Sequence, residues 1–232
     1  MKKTALAILF LLLSSVIYAQ STTPQKEFLS QFSAIDVDAP IRLKLIKIAE
    51  HEAPYIVFDT KGATMSKFHF EVNDKTRTLK ITERHDSQRK TITEVEVYFT
   101  KLTDISISKA DTTIEGTLTS QLLDIYISHN AHLTADVDVL DIMVYASGKS
   151  RIELSGATRY HTAEISTAHY NAHELSSVST VIESSHNAVA RVTASERLEM
   201  KTLTGGKIYY NSQPVLLRSR ITTFGGEIAP SK

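Results

Sequence analysis

The chain has 232 residues, with 26 Lys and Arg against 26 Asp and Glu, and neither Cys nor Trp. This near-neutral balance gives no electrostatic reason to bind nucleic acid, which needs a clustered basic face. The absence of cysteine excludes disulfides, a thiolate nucleophile and a lipid on a cleavage-site Cys, so stability must come from core burial, which this length can supply.

In chain order, Met1-Lys2-Lys3 precedes an apolar run from Ala5 to Leu13 and then Ser14-Ser15-Val16-Ile17-Tyr18-Ala19. A positive start, a short apolar stretch and a small residue at the end predict a signal peptide over residues 1–19, cleaved after Ala19. The run is shorter than the roughly 20 apolar residues a membrane-spanning helix needs, and no later stretch approaches that length. The mature chain is then exported to the periplasm, the cell surface or the medium, and loses Lys2 and Lys3 from its charge balance.

Residues 20–31 are polar and are expected to form a flexible leader. From Phe32 the pattern changes to short alternating runs: Ile35/Val37, Ile41/Leu43/Leu45, Tyr55–Phe58, Phe68–Val72, Leu79–Ile81 and Val95–Phe99. Alternation with a period of two predicts half-buried strands. Turn chemistry separates them at Ala39-Pro40, Lys61-Gly62, Asn73-Asp74 and His85–Lys90. Residues 32–100 therefore read as a β-meander with a polar hairpin near 83–91, placed to cap the C-terminal part of the chain.

From Leu102 onward, over residues 101–232, a unit of about twenty residues repeats some seven times. Asp104-Ile105-Ser106-Ile107 is answered by Asp124-Ile125-Tyr126-Ile127 and Asp141-Ile142-Met143-Val144. Ser128-His129-Asn130-Ala131 returns as Ser185-His186-Asn187-Ala188. Gly205-Gly206-Lys207-Ile208 returns as Gly225-Gly226-Glu227-Ile228. A strand-like unit at this period predicts a solenoid in which each unit is one rung and stacked rungs share a core. The fold expected is all-β: one domain over 32–232, its meander running into a short right-handed parallel β-helix of about seven rungs. Rungs about 4.8 Å apart make a rod of roughly 30–35 Å.

Phe32-Ser33-Ala34-Ile35-Asp36-Val37, Pro40-Ile41-Arg42-Leu43, Leu79-Lys80-Ile81 and Leu102-Thr103-Asp104-Ile105-Ser106-Ile107-Ser108 resemble the putative auto-transporter adhesin head family, also called the GIN domain. The resemblance spans nearly all of the mature chain. It implies a secreted bacterial β-helix-like domain at or outside the cell surface, and brings no catalytic residues. The family's corners usually read Ser-Gly or Gly-Gly. Here Lys109-Ala110, His129-Asn130, His169-Tyr170 and His186-Asn187 depart from that.

Several sets carry candidate chemistry. His129, His169 and His186 lie near one another along one edge if the rungs register, where stacked imidazoles can bind a metal or change charge near pH 6.5; the plainer reading is exposed corner residues. Tyr126, Tyr145, Tyr170, Tyr209 and Tyr210 form an outward row able to stack on sugars or a partner protein, or merely cover a ladder. Asp136, Asp138 and Asp141 suit calcium or a solvated acidic edge, and Glu94 with Glu96 share one strand face as a glycoside-cleaving pair would. Ser147-Gly148-Lys149-Ser150 lacks the earlier glycine of a phosphate loop, Met143 standing there. No cofactor and no metal site is expected. The reading is an exported, non-catalytic, adhesin-like module offering a rigid repetitive face, with Tyr126, Tyr145, His129, His169 and His186 as ligand-binding candidates, to a glycan or surface protein. The alternative is a polysaccharide-active β-helix enzyme.

Overall fold

The computed structural model describes residues 24–61, 67–84, 91–222 and 225–231. The signal peptide read over 1–19 lies outside these, as do residues 85–90 of the hairpin expected near 83–91. The described residues form strands and no helix. The N-terminal region holds β1 (Gln25–Phe28), β2 (Ala34–Asp38), β3 (Arg42–Lys47), β4 (Tyr55–Asp59), β5 (Phe68–Asn73), β6 (Thr78–Glu83) and β7 (Glu94–Phe99). A solenoid of about seven turns succeeds it. It comprises β8 (Asp104–Ser108), β9 (Asp111–Ser128), β10 (His132–Ala146), β11 (Arg151–Ser166), β12 (His169–Ser185), β13 (Val189–Val192), β14 (Arg197–Thr202), β15 (Lys207–Tyr210), β16 (Leu216–Ile221) and β17 (Glu227–Pro230).

Two parallel ladders organise the molecule. The first runs β6, β2, β8, the end of β9, the ends of β10, β11 and β12, then β14 and β16. The second runs β7, β3, the start of β9, the starts of β10, β11 and β12, then β13, β15 and β17. The N-terminal strands thus do more than cap: β2 and β3 enter the same parallel ladders as the rungs. Antiparallel strands then close that end, β5 on β6 and β4 on β7. Phe58, Phe68 and Phe70 pack there with ring centroids 5.1 to 5.9 Å apart. Gln25–Phe28, expected within the leader, instead pairs antiparallel with Tyr55–Phe58 as β1. The reason is local: Lys26 lies over the Tyr55 ring at 3.6 Å, and Phe28 meets it edge-on.

Alternation sets the core. One inward row of the first ladder stacks Ile35, Ile105, Ile125, Val144, Ala163, Ile182 and Met200, all buried. β-branched side chains suit this stacked surface. Where the chain turns from first ladder to second, Ala39, Ala110, Ala131, Ser150, Ala168 and Ala188 are buried, one per rung. A small side chain fills the bend at each of these rungs. A neighbouring row is interrupted: Leu123 and Ile142 give way to His161 and Thr180 before Leu198 restores it. Tyr170, expected in the outward tyrosine row, points inward from the second ladder and meets His161.

Candidate binding face

The outward side of the first ladder collects the sequence candidates best. Register aligns Ser106, Tyr126, Tyr145, Glu164, Glu183, Lys201 and Arg220 as one row along the rod. Tyr126 and Tyr145 stack with centroids 5.0 Å apart and planes within 5°. The Tyr145 hydroxyl donates to Met143 Sδ at 3.0 Å, which fixes its ring, while Tyr126 is 44% exposed. The rings face each other along the rod. One outer face is therefore directed at the Ser106 rung, the other at the Glu164 rung.

The surroundings are acidic at one end and basic at the other. Asp104, Asp124, Asp141, Glu164 and Glu183 supply one carboxylate per rung on this ladder. The Asp124 carboxyl is pushed upward by burial, then by Asp104 and Asp141. The Tyr126 phenol is pushed upward by burial and then by Asp124. Glu183 pairs with Lys201 at 2.7 Å, and Glu199 holds Arg197 at 2.8 Å and Arg218 at 3.1 Å. Those arginines keep the Glu199 carboxyl below its ordinary value. Glu164, which the tyrosine and histidine patterns did not single out, is an exposed carboxylate beside Tyr145. Its place comes from the nineteen-residue step that joins it to Tyr145.

The histidines do not gather. His129 and His186 occupy equivalent corners three rungs apart, about 14 Å at the spacing of stacked strands. Each binds two serines: His129 Nδ1 lies 2.9 Å from Ser128 Oγ and 3.4 Å from Ser108 Oγ, and His186 Nδ1 lies 3.1 Å from both Ser185 and Ser166. All four residues of the two His-Asn pairs have φ between 51° and 61°. The repeated tetrapeptide is thus a left-handed corner, with Asn tolerating that backbone and Ala filling the small inward slot. His169 stands on the second ladder between Arg151 and Val189, round the corner from the tyrosines.

The carboxylate sets are likewise dispersed. Glu94 pairs with Arg42 at 3.3 Å and Lys61 at 3.1 Å, and Glu96 accepts from the Tyr98 hydroxyl at 2.9 Å. Asp136 accepts from Thr117 and Ser155, whereas Asp141 lies on the first ladder opposite Leu122 and Tyr160. Among the described residues, no three His, Asp or Glu side chains are grouped to hold a metal ion.

No curated protein matches this sequence. Solved structures do share the fold. A putative adhesin from Bacteroides fragilis is 15% identical with a TM-score of 0.81, covering 90% of this chain and 96% of its own. A putative adhesin from Parabacteroides distasonis is 18% identical with a TM-score of 0.66, and a putative lipid binding protein from the same organism is 15% identical with a TM-score of 0.65, both with the same coverage. With the ladders, corners and rung period described, the match over residues 31–214 decides the matter: the chain belongs to the family described as "Putative auto-transporter adhesin, head GIN domain".

Proposed function

We propose that this chain is an exported, non-catalytic binding module that presents the first-ladder face to a glycan or a surface protein outside the cytoplasm. The stacked Tyr126–Tyr145 pair carries the reading: two aromatic rings are held rigidly on an exposed sheet, beside the carboxylate of Glu164. Stacked rungs order this surface before any ligand arrives, so several weak contacts add with little entropy lost on binding. His129 and His186 border the face at its corner and extend its polar rim, whereas His169 faces elsewhere. The enzyme alternative gains no support from the carboxylates named for it. Glu94 is neutralised by two cations, and Glu96 is bonded to Tyr98.

The test uses the chain from Gln20 to Lys232 on arrays of glycans, matrix proteins and lipid vesicles, with binding and product release scored together. Binding without product is expected, and it should be lost in the Tyr126→Ala/Tyr145→Ala variant at unchanged thermal stability. Product release, or binding indifferent to both tyrosines, would refute the proposal.

A further inference from the structure

The two ends of the first ladder are finished differently. Inward positions along the rod are sealed: Leu198, Met200 and Thr202 in β14 are all at most 3% exposed. Their register partners in β16 are Leu217, Ser219 and Ile221. Leu217 is 42% exposed and Ile221 is 56% exposed, although both occupy core positions. β16 pairs with β14 along one edge, and no strand among the described residues pairs along the other. A six-residue ladder edge with open core positions is an acceptor for another strand.

The opposite end shows what closes such an edge in this molecule. β5 lies antiparallel on β6, with Phe70 opposite Ile81, Val72 opposite Leu79 and Glu71 opposite Lys80. Apolar residues continue the core, and a carboxylate stands in register with the outward cation. β16 offers the matching half of that arrangement. Between its open core positions stand outward Arg218 and Arg220, with Lys201 behind Arg220. Glu199 answers Arg218 at 3.1 Å, and Arg220 has no ion-pair partner among the described residues. On the second ladder the last strand carries Pro230, which has no N–H to give, so the available edge belongs to the first ladder.

We propose that β16 receives an extended strand from a partner protein, laid antiparallel as β5 is. The strand sets apolar residues opposite Leu217, Ser219 and Ile221 and a carboxylate opposite Arg218 or Arg220. This site lies at the far end of the row that carries the tyrosines, four rungs from Tyr145, and Tyr126→Ala/Tyr145→Ala leaves it intact. The partner is thus recognised by main-chain pairing, with specificity from the alternation of apolar and acidic side chains.

The probe is a fluorescent peptide copying Lys67–Lys75, titrated against the chain from Gln20 to Lys232 by anisotropy. Saturable binding is expected, weakened about fivefold when the peptide carries Glu71→Lys, as befits one cross-strand charge pair. Ile221→Lys in the protein should abolish binding while the melting temperature holds, because that side chain is already half in solvent. Arg218→Glu/Arg220→Glu should reverse the preference in favour of the Lys-bearing peptide. Absence of saturable binding, or binding indifferent to Ile221→Lys and to charge reversal, overturns the proposal. Sedimentation of the protein alone is the remaining arm. A monomer supports a separate partner, whereas self-assembly lost in Ile221→Lys overturns that assignment and makes a second copy the occupant.

Discussion

His161 should make this protein acid-sensitive in a measurable way. Its ring is buried inside the solenoid, with Nε2 2.7 Å from the Tyr170 hydroxyl and Nδ1 3.3 Å from Thr180 Oγ1. Burial lowers its pKa from 6.5 to about 4, with no carboxylate opposing the change. The folded state therefore holds His161 neutral where the unfolded chain binds a proton. Stability is intact above pH 6.5 and is lost as pH falls from there toward 4. At 1.36 kcal/mol per pKa unit, the group removes about 2 kcal/mol between pH 7 and pH 5 and about 3 kcal/mol in full. The comparison is His161→Leu/Tyr170→Phe, which replaces both partners of the hydrogen bond and so strands neither. Thr180 keeps Ser177 Oγ at 2.6 Å and the Thr193 carbonyl at 3.3 Å. Urea unfolding of both proteins at pH 7 and pH 5 should show the parent losing about 2 kcal/mol more than the variant, since groups common to both cancel. Equal losses would show that His161 is solvated or charged in the folded state and would refute the argument.

Two further expectations concern the corners. A Cβ on Gly156, where φ is 103°, would stand 2.1 Å from the Val137 carbonyl oxygen of the rung before it. Gly156→Ala should cost about 3 kcal/mol or more in chemical denaturation, because backbone rather than a movable side chain must yield. Asn130 has φ of 61°. Asn130→Val should lower stability by about 1–2 kcal/mol, and Asn130→Gly should leave it within about 0.5 kcal/mol, both read by thermal melting.

The repeat is legible in the sequence because its cause is local and recurrent. Each rung must alternate apolar and polar residues and then bend over a small side chain, so Ser128–Ala131 and Ser185–Ala188 encode the same corner twice. The stacking of Tyr126 on Tyr145 comes from that period, nineteen residues being one rung. Tyr170 is misplaced by pattern alone because alternation restarts at every corner, and its parity depends on where the bend ends. Ala168-His169-Tyr170 aligned on Ala131-His132-Leu133 carries the correct signal, since Leu133 is inward. The histidines fail to converge for a related reason: His129 and His186 share a corner, whereas His169 begins the next ladder.

Period and alternation by themselves determined the all-β solenoid, its number of turns and most of its core, because stacking needs the same pattern in every unit. Only the tertiary structure decided how the ends are treated. Ala34–Asp38 joins Asp104–Ser108 in parallel across seventy residues, β5 seals one end, and no strand among the described residues covers the outer edge of β16 at the other. Such pairings depend on which strand edges remain unpaired once the rod is built, and that property belongs to no single segment of the chain.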